Sequence, residues 1–117
     1  MLHKDLDVYK KSIDFVTDIY KLTKTFPEEE KFALTSQLRR SAASIPSNIA
    51  EGSARYYKKE LKQFLYIALG SAAETETHLT IASRVGYINE ENAVFMSLER
   101  IKKMLLGLIR SIKGEKK

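Results

Sequence analysis

Apolar residues return at three- and four-residue steps along four successive stretches of this chain. That spacing collects them on one face of an α-helix and suits no strand. In the last stretch Val94, Leu98, Ile101, Leu105, Leu108 and Ile112 advance by 4, 3, 4, 3 and 4, the heptad-like seam of helix bundles. The third carries Leu61, Phe64, Leu65, Ala68, Ala72, Thr75, Leu79, Ala82 and Val85, and the second Leu34, Leu38, Ala42, Ile45 and Ile49. In the first, Leu6, Tyr9, Ile13, Val16 and Tyr20 are expected to form the inward stripe, with Lys10, Lys11, Asp14, Asp18, Lys21 and Lys24 turned to water.

Punctuation divides these stretches. Phe26-Pro27 ends the first helix, because the residue before a proline is pushed out of the helical region and proline suits the first turn of a new helix. Thr25 or Phe26 is the expected cap of the second helix, and Glu28, Glu29 and Glu30 bring negative charge to its unpaired N–H groups. The second stripe runs straight through Pro46. It therefore argues for one helix kinked at that residue over a break with Asn48 as a new cap and Glu51 as its capping-box partner. Gly52 is expected to end that helix in a left-handed conformation and Gly86 to close the third, while Asn89 with Glu90 and Glu91 opens the fourth. Small residues at Gly70-Ser71-Ala72-Ala73 would let a neighbouring helix come close.

The expected architecture is all-α, a single domain over residues 1–117 with helices at about 5–25, 27–52, 58–85 and 89–113. Short connections make it an antiparallel up-down-up-down four-helix bundle, and the tail Gly114-Glu115-Lys116-Lys117 is expected to fray.

Composition narrows the function classes. The absence of Cys excludes a disulfide scaffold, a thiolate zinc site and a cysteine nucleophile, and with no secretory leader it points to the cytoplasm. No apolar run approaches the ~20 residues that cross a bilayer. Catalytic motifs are lacking: there is no H-x-x-x-H or E-x-x-H pair, no Gly-rich phosphate loop and no G-x-S-x-G turn. Glu74 and His78 share a helix face, an arrangement expected to be an ordinary polar one, so neither a metal nor another cofactor is expected, and the protein reads as a non-enzyme.

Twenty Lys+Arg against 15 Asp+Glu leave a formal charge of +5. The cations cluster as Arg39-Arg40, as Arg55, Lys58, Lys59 and Lys62, and as Arg100, Lys102, Lys103, Arg110 and Lys113. Tyr56 and Tyr57 sit inside the middle group, and cations interleaved with rings suit phosphates and unpaired bases. Val8 and Phe15 on the first helix, with Tyr66, Ile67 and Leu69 on the third, lie off the expected inward stripes; such leftover apolar surface argues for self-association.

The segments L-D-V-Y-K-K-S-I-D-F (6–15), F-P-E-E-E (26–30), Q-L-R-R-S-A-A-S-I-P-S-N-I-A-E-G (37–52) and F-L-Y-I-A-L-G-S-A-A-E-T-E-T (64–77) resemble the four-helix-bundle proteins encoded in intervening sequences of bacterial 23S ribosomal RNA genes. A more distant resemblance is to the accessory variability determinant of diversity-generating retroelements. The resemblance implies a homopentameric ring with positive charge available to nucleic acid. By motif, its signature positions here are Ser44, Pro46, Asn48, Glu51, Gly52, Arg55, Gly70, Ser71 and Glu74, most of them packing and helix-joining residues.

Two functional expectations follow. The first is an oligomer that binds RNA or DNA phosphates with little sequence reading, through Arg39, Arg40, Arg55, Lys58, Lys59 and Lys62. The alternative is an interaction scaffold whose basic surface docks an acidic partner, such as a nucleic-acid-processing enzyme.

Overall fold

The computed structural model describes residues 2–112, so expectations for Lys113 and the tail lie outside the described residues. Four helices, α1 (Asp7–Thr23), α2 (Leu34–Ser53), α3 (Lys58–Arg84) and α4 (Ala93–Ser111), pack side by side, and no strand occurs among the described residues. One core runs along them, with Phe15, Ile19, Leu38, Ile45, Leu65, Leu79, Leu98 and Leu105 essentially removed from water.

α2 and α3 share the most extensive contact, and its chemistry is mixed. Ser44 Oγ lies 2.8 Å from Ser71 Oγ, and Ser41 Oγ 2.8 Å from Thr75 Oγ1. Asn48 Nδ2 donates to both the Ser44 hydroxyl (2.9 Å) and the Ser44 carbonyl (2.8 Å). These short side chains let the two backbones approach, and each buried hydroxyl finds a partner in the process. Further along, Gly52 meets Leu61 and Phe64. Residues 41, 44 and 52 thus face 75, 71 and 61–64, so α3 numbering falls as α2 numbering rises.

Several helix boundaries differ from the sequence expectation. The second helix begins at Leu34 and not at Pro27; Glu28–Glu30 form a separate 3-10 turn. Glu30 nevertheless serves that helix, since its Oε1 accepts from the Leu34 N–H (3.3 Å) while Oε2 accepts from the Tyr87 hydroxyl (2.8 Å). That hydrogen bond, with burial and the nearby negative charge of Glu30 and Glu29, raises the Tyr87 phenol above its usual range. Phe26, buried against the Tyr87 ring (5.3 Å between centroids), packs into this junction and caps nothing. The fourth helix starts at Ala93, because Asn92 rather than Asn89 accepts from the Val94 N–H (3.0 Å); Asn89 closes a local turn onto the Glu91 N–H (2.7 Å).

α2 is continuous through Pro46, which is buried inside it, and Asn48 is a mid-helix residue rather than a new cap. The side chains of Ser47 and Asn48 donate to the carbonyls of Ala43 and Ser44 around the position where proline offers no N–H. Gly52 is corrected too. It is helical and buried, and a positive φ among the described residues belongs to Gly86 alone (91°). At Gly86 the Tyr87 N–H reaches the Ala82 carbonyl and the Gly86 N–H reaches the Ser83 carbonyl, a Schellman closure of α3.

The inward face of α1 is also rotated from expectation. Val8, Ser12, Phe15, Ile19 and Thr23 are buried, whereas Ile13 and Tyr20 are exposed. Two of the five buried residues carry hydroxyls, satisfied by donation to the carbonyls of Tyr9 and Ile19. Leu6, Tyr9 and Val16 of the expected stripe flank this face, partly buried against the core, so a reading based on apolar side chains alone is offset and not opposite. In the small patch of α3, Ser71 and Ala72 are buried while Gly70 and Ala73 are exposed, so only half of it serves contact within the chain.

Two glycines, one in α2 and one in α3, make opposite predictions. A Cβ at Gly52 would sit 2.7 Å from Phe64 Cβ, so Gly52→Ala should cost about 1–3 kcal/mol. Gly70 has no atom within 4 Å of such a Cβ, and Gly70→Ala should add about 0.5–1 kcal/mol. Urea denaturation midpoints at unchanged slope check both.

Candidate nucleic-acid interface

The six cations singled out from the sequence form two groups. Arg39 and Arg40 lie in the first half of α2, while Arg55, Lys58, Lys59 and Lys62 surround the connection from α2 to α3. From Arg40 to the end of α2 is ~20 Å at 1.5 Å per residue, too far for one compact site.

Arg39 is held by its own fold. Its Nε donates to Thr23 Oγ1 (2.8 Å), its Nη2 to the Tyr20 carbonyl (3.3 Å), and its guanidinium lies 4.5 Å from the Tyr20 ring centroid. The Tyr20 carbonyl belongs to the last turn of α1, where it also accepts from the Thr23 hydroxyl (3.2 Å), and a cation suits that end of the dipole. Arg39 is thus a clamp between α1 and α2, a role its sequence neighbourhood does not display. Arg40 is exposed and lines a shallow groove of about 550 Å³ with Phe32, Gln37, Ser44 and Glu74.

At the other end of α2, Arg55 Nη2 pairs with Glu51 Oε2 (3.0 Å) and its guanidinium stacks 4.8 Å from the Phe64 ring. The cation is fixed there by one carboxylate and one ring, both from elements it joins. Lys59 is exposed and Lys62 half-exposed on the first turns of α3, and Tyr57 stands at the N-cap of that helix without a side-chain capping bond. Tyr56 is 89% exposed, and its ring contacts Tyr57 edge to face at 4.9 Å. This end of the bundle concentrates cations, open rings and the positive pole of a 27-residue helix.

On α4, Lys102 is matched by acids. Lys102 Nζ donates to Glu76 Oε1 (2.6 Å) and lies 3.4 Å from Glu99, which holds its ammonium above the usual lysine range despite partial burial. Arg100 lines a cleft with Asp14 and Asp18 of α1.

The signature positions sort themselves by geometry. Ser44, Asn48 and Ser71 belong to the α2–α3 hydroxyl chain, Gly52 to the close contact, and Glu51 to the Arg55 pair. Glu74 Oε2 lies 3.4 Å from His78 Nε2, and His78 Nδ1 is buried without a partner. Ser41 and Thr75 complete the hydroxyl chain; Thr75 was expected on the inward stripe of α3, whereas Ser41 was passed over, and the signal that finds it is its register against Ser44, one turn away on α2.

A family model described as 23S rRNA-intervening sequence protein matches residues 4–107. The chain belongs to that family. Among solved structures, it is similar to a protein of unknown function from the S23 ribosomal protein family of Bacteroides thetaiotaomicron. That protein is 33% identical, the match covers 89% of this chain and 96% of the other, and the TM-score is 0.82. No curated protein matches it. No helix among the described residues is long and apolar enough to cross a membrane.

The division of labour within the arginine pair is testable. Arg39→Met keeps the stem but deletes both hydrogen bonds and the ring contact, and should lower unfolding free energy by about 1 kcal/mol or more. Arg40→Met should stay within about 0.5 kcal/mol of the parent. Paired urea titrations of the two variants read the difference.

Proposed function

We propose that this protein is a non-enzymatic, self-associating, cytoplasmic nucleic-acid-binding protein. Its subunit would be a single-domain antiparallel up-down-up-down bundle bent at Pro46. It would grip the phosphates of RNA or DNA with little sequence preference. The observation that carries this reading is the gathering of Arg55, Lys58, Lys59 and Lys62 around two exposed tyrosines at the α2–α3 end. Phosphate attraction needs only cations on a surface that a polyanion can reach, and releases the counterions condensed on it. Arg39 and Arg40, ~20 Å away along α2, would meet a separate stretch of backbone. The description of the family as an intervening-sequence protein of 23S rRNA agrees with a nucleic-acid context without implying membership of the ribosome.

Self-association is supported by apolar side chains left in water, among them Ile13 and Tyr20 of α1, Ile67 and Ile81 of α3, Met96 of α4, and Phe32 before α2. A homopentamer is the assembly we assign, by analogy with the ring implied by the family resemblance.

Filter binding of structured 23S rRNA fragments tests the first part. Retention should be strong at low salt and fall linearly on a log–log salt plot, with a slope of about −0.7 to −0.9 per phosphate contacted. Charge reversal at Arg55, Lys58 and Lys59 together should abolish it; no retention of the parent protein, or retention indifferent to the reversal, would reject the reading. Light scattering after size-exclusion chromatography tests the second part, with a mass near five times the 13.4 kDa chain expected and a monomer mass contradicting it.

A further inference from the structure

Resting on the nucleic-acid reading above, we infer that Tyr56 and Tyr66, with Lys59 and Lys62 between them, form a stacking track that selects unpaired bases, so that the ligand of this end of the bundle is single-stranded.

Tyr56 presents 89% of its surface to water, an exposure that no packing role within the chain explains. An edge-to-face pair covers at most one of its four ring faces, so the contact with Tyr57 orders the rings while leaving flat aromatic surface open. Lys59, Lys62 and Tyr66 follow at spacings of three and four residues on α3, one above the other on the same helix side. Tyr66 is half-exposed there, ~12 Å along the axis from the start of α3. Ring, cation, cation, ring is the order that results.

The acids nearby do not cancel this line. Glu51 is engaged by Arg55, and Glu60 lies about 100° around the helix from Lys59, half-buried. The N-terminal pole of α3 adds its partial positive charge at the same place. Cations alone would favour a duplex, which carries the denser phosphate charge. A ring pays off only where a base exposes its π-face, which happens in single strands, loops and bulges. Because every base has such a face, and stacking does not read the sugar, RNA and DNA single strands should both bind, with little sequence preference.

The chain contains no Trp, so Tyr56→Trp installs a lone fluorescent reporter at the head of the track. It would be titrated with oligonucleotides of about 12 nucleotides: oligo-uridylate, oligo-thymidylate, an abasic deoxyribose-phosphate strand of equal length, and a hairpin duplex of matched charge. Quenching is expected with both base-bearing single strands, and affinity for the abasic strand and the duplex should be at least about fivefold lower. In parallel, anisotropy with labelled oligo-uridylate should show about fivefold or greater weakening for Tyr56→Ala and for Tyr66→Ala at an unchanged salt slope, and near-parental affinity for Tyr56→Phe. Circular dichroism confirms that each variant is folded. Equal affinity for abasic, duplex and base-bearing strands would overturn the stacking track while leaving charge-driven binding intact. Failure to bind any of the four would remove the nucleic-acid reading as well. A change of subunit number in Tyr56→Ala by light scattering would assign the ring to contact between copies and overturn the track.

Discussion

The close approach of α2 to α3 is the constraint on which the other features rest. Two helices can come this near only if the residues between them are small, and here they are Ser41, Ser44, Gly52, Ser71, Ala72 and Thr75. Small residues bury little apolar area, so the seam gains its specificity from geometry: a hydroxyl is satisfied only when its counterpart on the facing helix is in register. A slip of one residue would leave several buried hydroxyls without partners, at a cost of about 1–3 kcal/mol each. Gly52 sets the end of the seam, since its missing Cβ lets Phe64 sit against the backbone. The aliphatic core on the other side of these helices then closes against α1 and α4.

This seam also shapes the charged end of the molecule. Because α2 and α3 are pinned up to Gly52 and Leu61, the connection between them is short and holds Tyr56 and Tyr57 outward. Arg55 is drawn back onto Glu51 and Phe64, bracing the connection. A net charge of +5 would by itself suggest a uniformly basic surface, yet many cations are committed within the subunit. Arg39 ties α1 to α2, and Lys102 ties α4 to α3. What distinguishes the α2–α3 end is that its cations stand beside two open aromatic rings.

The same contrast separates what could be read in advance from what could not. Helix existence, number and approximate extent were legible, since apolar spacing, Pro27, Gly86 and the Asn-rich fourth boundary are local signals. Boundaries drifted by a few residues where two residues competed for one role, as Asn89 and Asn92 did for the cap of α4. The middle basic group was legible as a cluster because its members are close in sequence. The tie of Arg39 to Thr23 and Tyr20 was not, because those partners lie on another helix.

The sequence by itself determined an all-helical chain of four amphipathic segments, the family to which its motif blocks point, and the residues available for charge. Tertiary structure alone decided which face of α1 turns inward, because Ser12 and Thr23 enter the core only once backbone carbonyls accept their hydroxyls. It also turned Gly52 from an expected terminus into a contact and tied Arg39 to Thr23 and Tyr20 of α1. In each case the physical reason is the same: the role is set by the atom that lies across the interface, and periodicity along one helix carries no information about its neighbour.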